Sequence, residues 1–189
     1  VAEISDFRFQ HFLDEALRWL PPLRILRQWL LPACRELASQ RQQDAESALR
    51  HLWLMERTRQ LVQGAIMHRA GSDSPVLVAT VVPERERLPA LELAVELLGR
   101  GAGCRLLETP VGIDVILAAH QQWQCRALVL CAGDGLPVSV VGPHHEALSR
   151  TGSGLFVLTD DFDGTLWPPN ARHLDRIAPE ALEKVLATH

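Results

Sequence analysis

Apolar positions fall into two regimes along the chain, a 3.6-residue repeat in the first seventy residues and short unbroken β-branched runs after them. From Ser5, read as an N-cap, Phe9, Phe12, Leu13, Ala16, Leu17 and Leu20 share one helical face, and Pro21-Pro22 ends the pattern. A second helix follows, with Ile25, Leu26, Trp29, Leu30, Ala33 and Leu37 on one face and Pro32 as an expected kink. A third begins near Asp44; its Leu52-Trp53-Leu54-Met55 run is apolar all round, which predicts a helix buried in the middle of a bundle. Trp19, Trp29 and Trp53 are read as core residues of that bundle.

Gly71-Ser72-Asp73-Ser74-Pro75 breaks the helical pattern, and Val76 to Val82 is almost continuously β-branched. The expected boundary separates a helical bundle, residues 1–72, from an α/β domain, residues 73–189. Further strand-like runs at Cys104–Thr109, Ala127–Cys131 and Leu155–Thr159 alternate with helical separators at Leu88–Arg100, Ile113–Trp123 and about Pro143–Arg150. Strand and helix in alternation predict a parallel sheet, and runs apolar on both faces predict that helices cover it on both sides. A short fifth element near Leu174–Ile177 and a helix from Pro179 to about Ala187 close a flavodoxin-like, five-stranded sheet.

Composition narrows the function. An apolar fraction of 47% in 189 residues is that of a globular chain. No apolar stretch is long enough to span a bilayer, and no basic-then-apolar leader opens the chain, so a cytoplasmic protein is expected. Residues 1–73 hold 10 arginines against 9 acids, and residues 74–189 hold 9 basic side chains against 14 acids. Neither half has the basic surface that phosphate contacts require, so direct binding to nucleic acid is not expected. Cys34, Cys104, Cys125 and Cys131 lack the close pairing of a zinc site and read as reduced, mostly buried thiols.

A bundle of about seventy residues leading into a five-stranded doubly wound sheet resembles the cobalamin-binding module in the C-terminal half of MerR-type transcriptional regulators, including the light-responsive ones. Leu30-Leu31-Pro32 with Arg35-Glu36-Leu37 is similar to that family's second bundle helix, and Asp175-Arg176-Ile177 with Pro179–Leu186 to its closing strand and helix. The resemblance implies a cap over the carboxyl edge of the sheet, where open parallel sheets bind their ligands. It also implies a cobalt-ligating histidine and a glycine in an Asp-x-His-x-x-Gly motif after the first strand. Here the matching positions are Glu84, Glu86 and Pro89, within a run read as a charged turn. A carboxylate cannot supply a neutral imidazole nitrogen, and a proline ring fills space that only glycine leaves open. The family's Ser-x-Leu after the third strand appears as Cys131-Ala132-Gly133, and its Gly-Gly after the fourth as Thr159-Asp160 or Asp160-Asp161. The cap's Trp and Glu-His pair have no clear match around Arg41–Arg50.

The expectation is therefore a non-enzymatic regulatory or sensor module with no cofactor, metal or catalytic residue, its cleft closed by protein side chains. Glu84 and Glu86 are candidates to pair there with Arg57 or Arg59. Such a module would act through homodimerisation or a regulatory protein partner, and would reach DNA only through a separate N-terminal domain. The alternative is a sensor that holds a tetrapyrrole or another small molecule in the cleft between cap and sheet.

Three other motifs compete. Asp161-Phe162-Asp163-Gly164-Thr165-Leu166 after an apolar strand reproduces the first motif of haloacid-dehalogenase-like phosphotransferases, in which one aspartate attacks phosphorus and the second handles a proton beside Mg²⁺. Only 23 residues follow Leu166, and they hold the single lysine, Lys184, in a predicted terminal helix with Glu180 and Glu183, so the rest of that machinery has no place downstream. His144-His145-Glu146 carries metal-ligand chemistry without a second cluster to complete a shell. His120, on an apolar helix face, reads as a hydrogen-bonded core histidine, while His11 and His51 could meet within the bundle, although nothing in their spacing demands it.

Overall fold

The computed structural model describes residues 2–40, 45–69, 74–81, 83–108, 111–133, 138–160, 162–175 and 177–188, without the side chains of 2–7, 83–86, 138 and 153. The chain divides into two compact units, Val1–Ala65 and Ile66–His189.

The first unit is helical. Helix α1 spans Ala2–Trp19, so Ser5 lies inside it and is not its cap. After Pro21, α2 (Pro22–Ile25) runs through a π-helical turn, Leu26–Leu30, into α3 (Leu31–Gln40). The expected irregularity at Pro32 takes this form because a proline ring clashes with the carbonyl four residues back. The wider turn moves the hydrogen bond to the next carbonyl, with the Leu31 N–H reaching Leu26 O. Helix α4 covers Ala45–His68. The Cys34 thiol and the Thr58 hydroxyl meet at 3.4 Å, and Thr58 donates to the Leu54 carbonyl at 2.8 Å, which leaves the thiol as donor between the two side chains.

The bundle reading of the tryptophans needs correction. Trp19 is 80% exposed and Trp29 38%, while Trp53 is half-buried against Phe9 at 5.4 Å. Trp19 ends α1 off the Leu13 and Ala16 stripe, and Trp29 uses one face to stack on Phe12 at 5.4 Å. Likewise Leu52 is 59% exposed while Leu54 and Met55 are buried, so the apolar run of α4 is buried on one side only. His51 is buried and His11 exposed.

The second unit is the expected flavodoxin-like fold. Strands β1 (Val76–Thr80), β2 (Cys104–Leu107), β3 (Ala127–Gly133), β4 (Leu155–Thr159) and β5 (Arg172–Leu174) form one all-parallel sheet in the order β2-β1-β3-β4-β5. Helix α5 (Pro83–Gly99) connects β1 to β2, and α6 (Ile113–Gln122) connects β2 to β3. Short helices α7 (Val138–Val141) and α8 (His145–Ser149), joined by a 3₁₀ turn, lead to β4, and α9 (Pro179–Leu186) closes the chain.

Successive strand residues point to opposite faces. Leu77, Ala79, Leu128, Leu130, Leu155 and Val157 meet Ile113, Ile116, Leu148 and Trp167 on one side. Val76, Val78, Val129 and Phe156 point to the other, and α5 runs against β1, β2 and β3. All five residues of β1 and of β4 are buried, which is why those segments read as continuous apolar runs. The fifth strand lies two residues earlier than its sequence signal, because Ile177 follows it in the loop and only Leu174 faces the interior.

Two αβ connections end in the same way. After α5, the Gly101 N–H bonds to Leu98 O and the Ala102 N–H to Leu97 O, and Gly101 has φ 82. After α6, the Gln124 N–H bonds to Gln121 O and the Cys125 N–H to His120 O, and Gln124 has φ 49. Both are Schellman caps, one with the usual glycine and one without it.

Candidate functional site at the carboxyl edge of the sheet

The strand order reverses between β1 and β3, and in an open parallel sheet the crevice beyond their carboxyl ends is where a ligand sits. Thr80 ends β1 in register with Cys131 of β3. Both are buried, and the Thr80 hydroxyl oxygen has no hydrogen-bond partner among the described residues.

Beyond Cys131 the register of β3 with β4 shifts, and the Gly133 carbonyl is turned to the end of β4. It accepts from the Thr159 hydroxyl at 2.7 Å and from the Asp160 N–H at 3.1 Å. His173 Nε2 lies 2.9 Å from the Thr159 carbonyl, and its ring stacks on Phe162 at 4.7 Å. The structure thus brings Gly133 and Asp160 together, with Cys131 behind them and Asp160 exposed.

The run Glu84 to Pro89 is not a turn. It forms the first turns of α5, which starts at Pro83, five residues before the expected Leu88. A proline at the helix start has its φ preset and no N–H to leave unpaired. Pro89 is half-buried inside the helix. The side chains of Glu84 and Glu86 lie outside the described residues, as do Val82, Thr109, Asp161, Arg176 and the linker 70–73. Of the proposed cap arginines, Arg59 binds Glu56 at 2.6 Å, and Arg57 reaches Gln60 at 3.1 Å and lies over the Trp53 ring.

The sequence reading overlooked Glu108. It follows β2 directly, its side chain is only 5% exposed, and its Oε1 lies 3.8 Å from Nε of half-buried Arg87. That distance is too long for a hydrogen bond and makes the contact a Coulombic tie between the start of α5 and the end of β2. An acid closing the apolar run Leu106-Leu107 was the available signal.

No protein-family model matches the chain, and no curated protein matches it.

The residues do not fit a corrinoid. The position for the lower ligand is a glutamate in a helix, the Gly133 carbonyl is already doubly engaged, and an acid follows β4 where a phosphate-bearing tail would pass. The phosphotransferase motif fares no better at its second aspartate. Exposed Asp163 accepts from the Thr165 hydroxyl at 2.7 Å and the Thr165 N–H at 2.9 Å, and these bonds hold its carboxyl below the ordinary value, against a role as proton donor. Lys184 is exposed on α9. Glu146 binds Arg150 at 2.5 Å, and among the described residues no three His, Cys, Asp or Glu side chains group to hold a metal. Among the described residues no helix is long and apolar enough to cross a membrane.

Proposed function

We propose that this chain is a non-enzymatic regulatory module, of the kind that follows the DNA-binding domain in MerR-type transcriptional regulators, working without cobalamin and through association of two copies or with a protein partner. The observation that supports the reading is the state of the switch-point edge. At that edge the Gly133 carbonyl is taken by Thr159 and Asp160, and Glu108, at the end of β2, is faced by Arg87 at 3.8 Å. An α/β unit preceded by a helical unit is an arrangement suited to transmitting a packing change. DNA would be reached through a separate domain, since neither unit is basic.

Two measurements test this. Light scattering on the purified chain is expected to give twice the monomer mass, and titration with hydroxocobalamin is expected to leave the corrinoid spectrum unchanged. Saturable binding of the corrinoid below about 10 μM would overturn the cofactor-free reading, and a monomer at all concentrations would overturn self-association. A second reading is favoured by Thr80 alone. Its unpartnered buried hydroxyl at the switch point is what a sensor for a tetrapyrrole or another small molecule would leave for its ligand, and haemin titration separates the two.

A further inference from the structure

One stripe of α1 carries aromatic side chains that the first unit does not cover. Residues 8, 12, 15 and 19 follow one another at steps of four, three and four, which on an α-helix places them along a single line. The stripe reads Arg8, Phe12, Glu15 and Trp19, and all four are exposed, Phe12 by 53% and Trp19 by 80%. Leu13 and Ala16, which α1 buries, lie off it. Trp29 widens the stripe, since its ring is 38% exposed and stacks on Phe12 with 28° between the planes.

We propose that this stripe is the face on which two copies of the chain pair, with α1 antiparallel to its counterpart about a two-fold axis that crosses between Phe12 and Glu15. The inference rests on the regulatory reading for self-association and adds the residues that carry it.

Two observations select a second copy as the occupant. The first is charge. Arg8 and Glu15 take part in no hydrogen bond or ion pair among the described residues. Seven residues apart, they are separated by about 10 Å along the helix, too far to pair within it. Antiparallel pairing about that axis lays Arg8 over the partner's Trp19, as a cation on an aromatic face, and within one turn of the partner's Glu15; the symmetry makes each contact twice. A stripe with one charge of each sign, spaced to meet its own reverse, is complementary to itself, whereas an anionic membrane or an acidic peptide would call for basic residues alone.

The second is area. At about 150–250 Å² per aromatic side chain, the exposed parts of Phe12, Trp19 and Trp29 amount to about 250–400 Å². Each side of a standard interface gives about 800 Å², a little over half of it apolar, so the three rings supply most of the apolar share and exposed His11 and Arg18 beside them belong to the polar rim. Tryptophan and arginine are also the side chains that most often dominate such contacts.

Sedimentation velocity on the full chain tests this. The parent is expected to dimerise, and Arg8→Glu and Glu15→Arg are each expected to weaken the dimer at least tenfold, because like charges then face each other. An equimolar mixture of these two variants is expected to dimerise again, since one presents only acids on the stripe and the other only arginines. Trp19→Ser is expected to weaken the dimer at least tenfold with an unchanged far-ultraviolet circular dichroism spectrum. Parent-like association in any of the three variants, or a mixture that stays monomeric, would overturn the assignment of this face and leave self-association standing. A parent that is monomeric up to about 1 mM would overturn both.

Discussion

The same one-carbon change at two glycines of this chain is expected to have opposite signs. Gly154 precedes β4, and a Cβ built on it comes within 2.6 Å of the Arg126 carbonyl oxygen and 3.3 Å of the Ala127 Cα. Both are backbone atoms at the start of β3, pinned by the Arg126 N–H bond to Pro75 O at 3.1 Å and by the register of Ala127 with Val76. They cannot rotate away as a side chain would, so β4 must move by several tenths of an ångström or lose pairing. Overpacking of this kind costs about 1–3 kcal/mol. Gly64 lies exposed in the interior of α4 with nothing within 4 Å of its would-be Cβ, so Gly64→Ala only removes backbone freedom from the unfolded chain and stabilises by about 0.5–1 kcal/mol. The two variants should therefore differ by about 1.5–4 kcal/mol. Urea unfolding followed by far-ultraviolet circular dichroism and by tryptophan fluorescence reads both, with a separate transition fitted for each compact unit where the probes diverge. Gly154→Ala at or above the stability of the parent, or a destabilised Gly64→Ala, would refute the close-approach argument.

Other expectations follow from the same contacts. Gln124→Gly should stabilise by about 0.5–1 kcal/mol, since it puts the preferred residue at a left-handed cap, while Gly101→Ala at the equivalent cap should destabilise by about 1 kcal/mol; thermal melts check both. Desolvation lowers His120 below the ordinary histidine value of 6.5, so the unfolded chain binds more protons on acidification. This contribution is complete above pH 6.5 and is lost as pH falls through the depressed folded value; His120→Phe should flatten that limb of the stability curve. Burial raises Cys104 to about 12, with Cys125 adding to the shift and Arg105 opposing it, and raises Cys125 to about 11 against the same arginine. With only about one thiol in a thousand or fewer ionised at pH 8, iodoacetamide should label neither in the native protein, and rapid native labelling detected by mass spectrometry would contradict this. Phe156→Ala, at a side chain with no exposure in β4, should cost about 3–5 kcal/mol in the denaturation midpoint of the second unit.

The fold was legible because β1, β3 and β4 are buried on both faces and so spell themselves as apolar runs, with amphipathic α6 and α9 between and after them. The edge strand β5 was less so, since only one of its three residues is buried and its pattern carries almost no signal. The start of α5 was misplaced because four charged residues read as a loop, although Pro83 followed by acids is also how a helix begins. The cap at Gln124 could not be read at all, since the glycine that marks such ends is missing and only the hydrogen bonds reveal it. At the carboxyl edge Asp160 follows an apolar strand and meets the Gly133 carbonyl through its backbone N–H, but the tie between Arg87 and Glu108 joins residues 21 apart in the chain on elements whose register no local pattern encodes. The tryptophans were misjudged for a related reason: hydrophobicity says that a side chain prefers cover, not which side of a helix receives it.

The π-helical turn at Leu26–Leu30 holds one residue more than an α-helix of the same rise needs. Ile25 and Leu30, and Leu26 and Leu31, are all buried and stand five apart, a spacing that lines up only across such a turn. A single-residue deletion at exposed Gln28 would tighten the turn without twisting the flanking faces out of phase, but it would also push the Pro32 ring back against a carbonyl. The length of this segment and the identity of residue 32 are thus coupled, so that a shortened chain would regain stability when Pro32 is replaced by alanine.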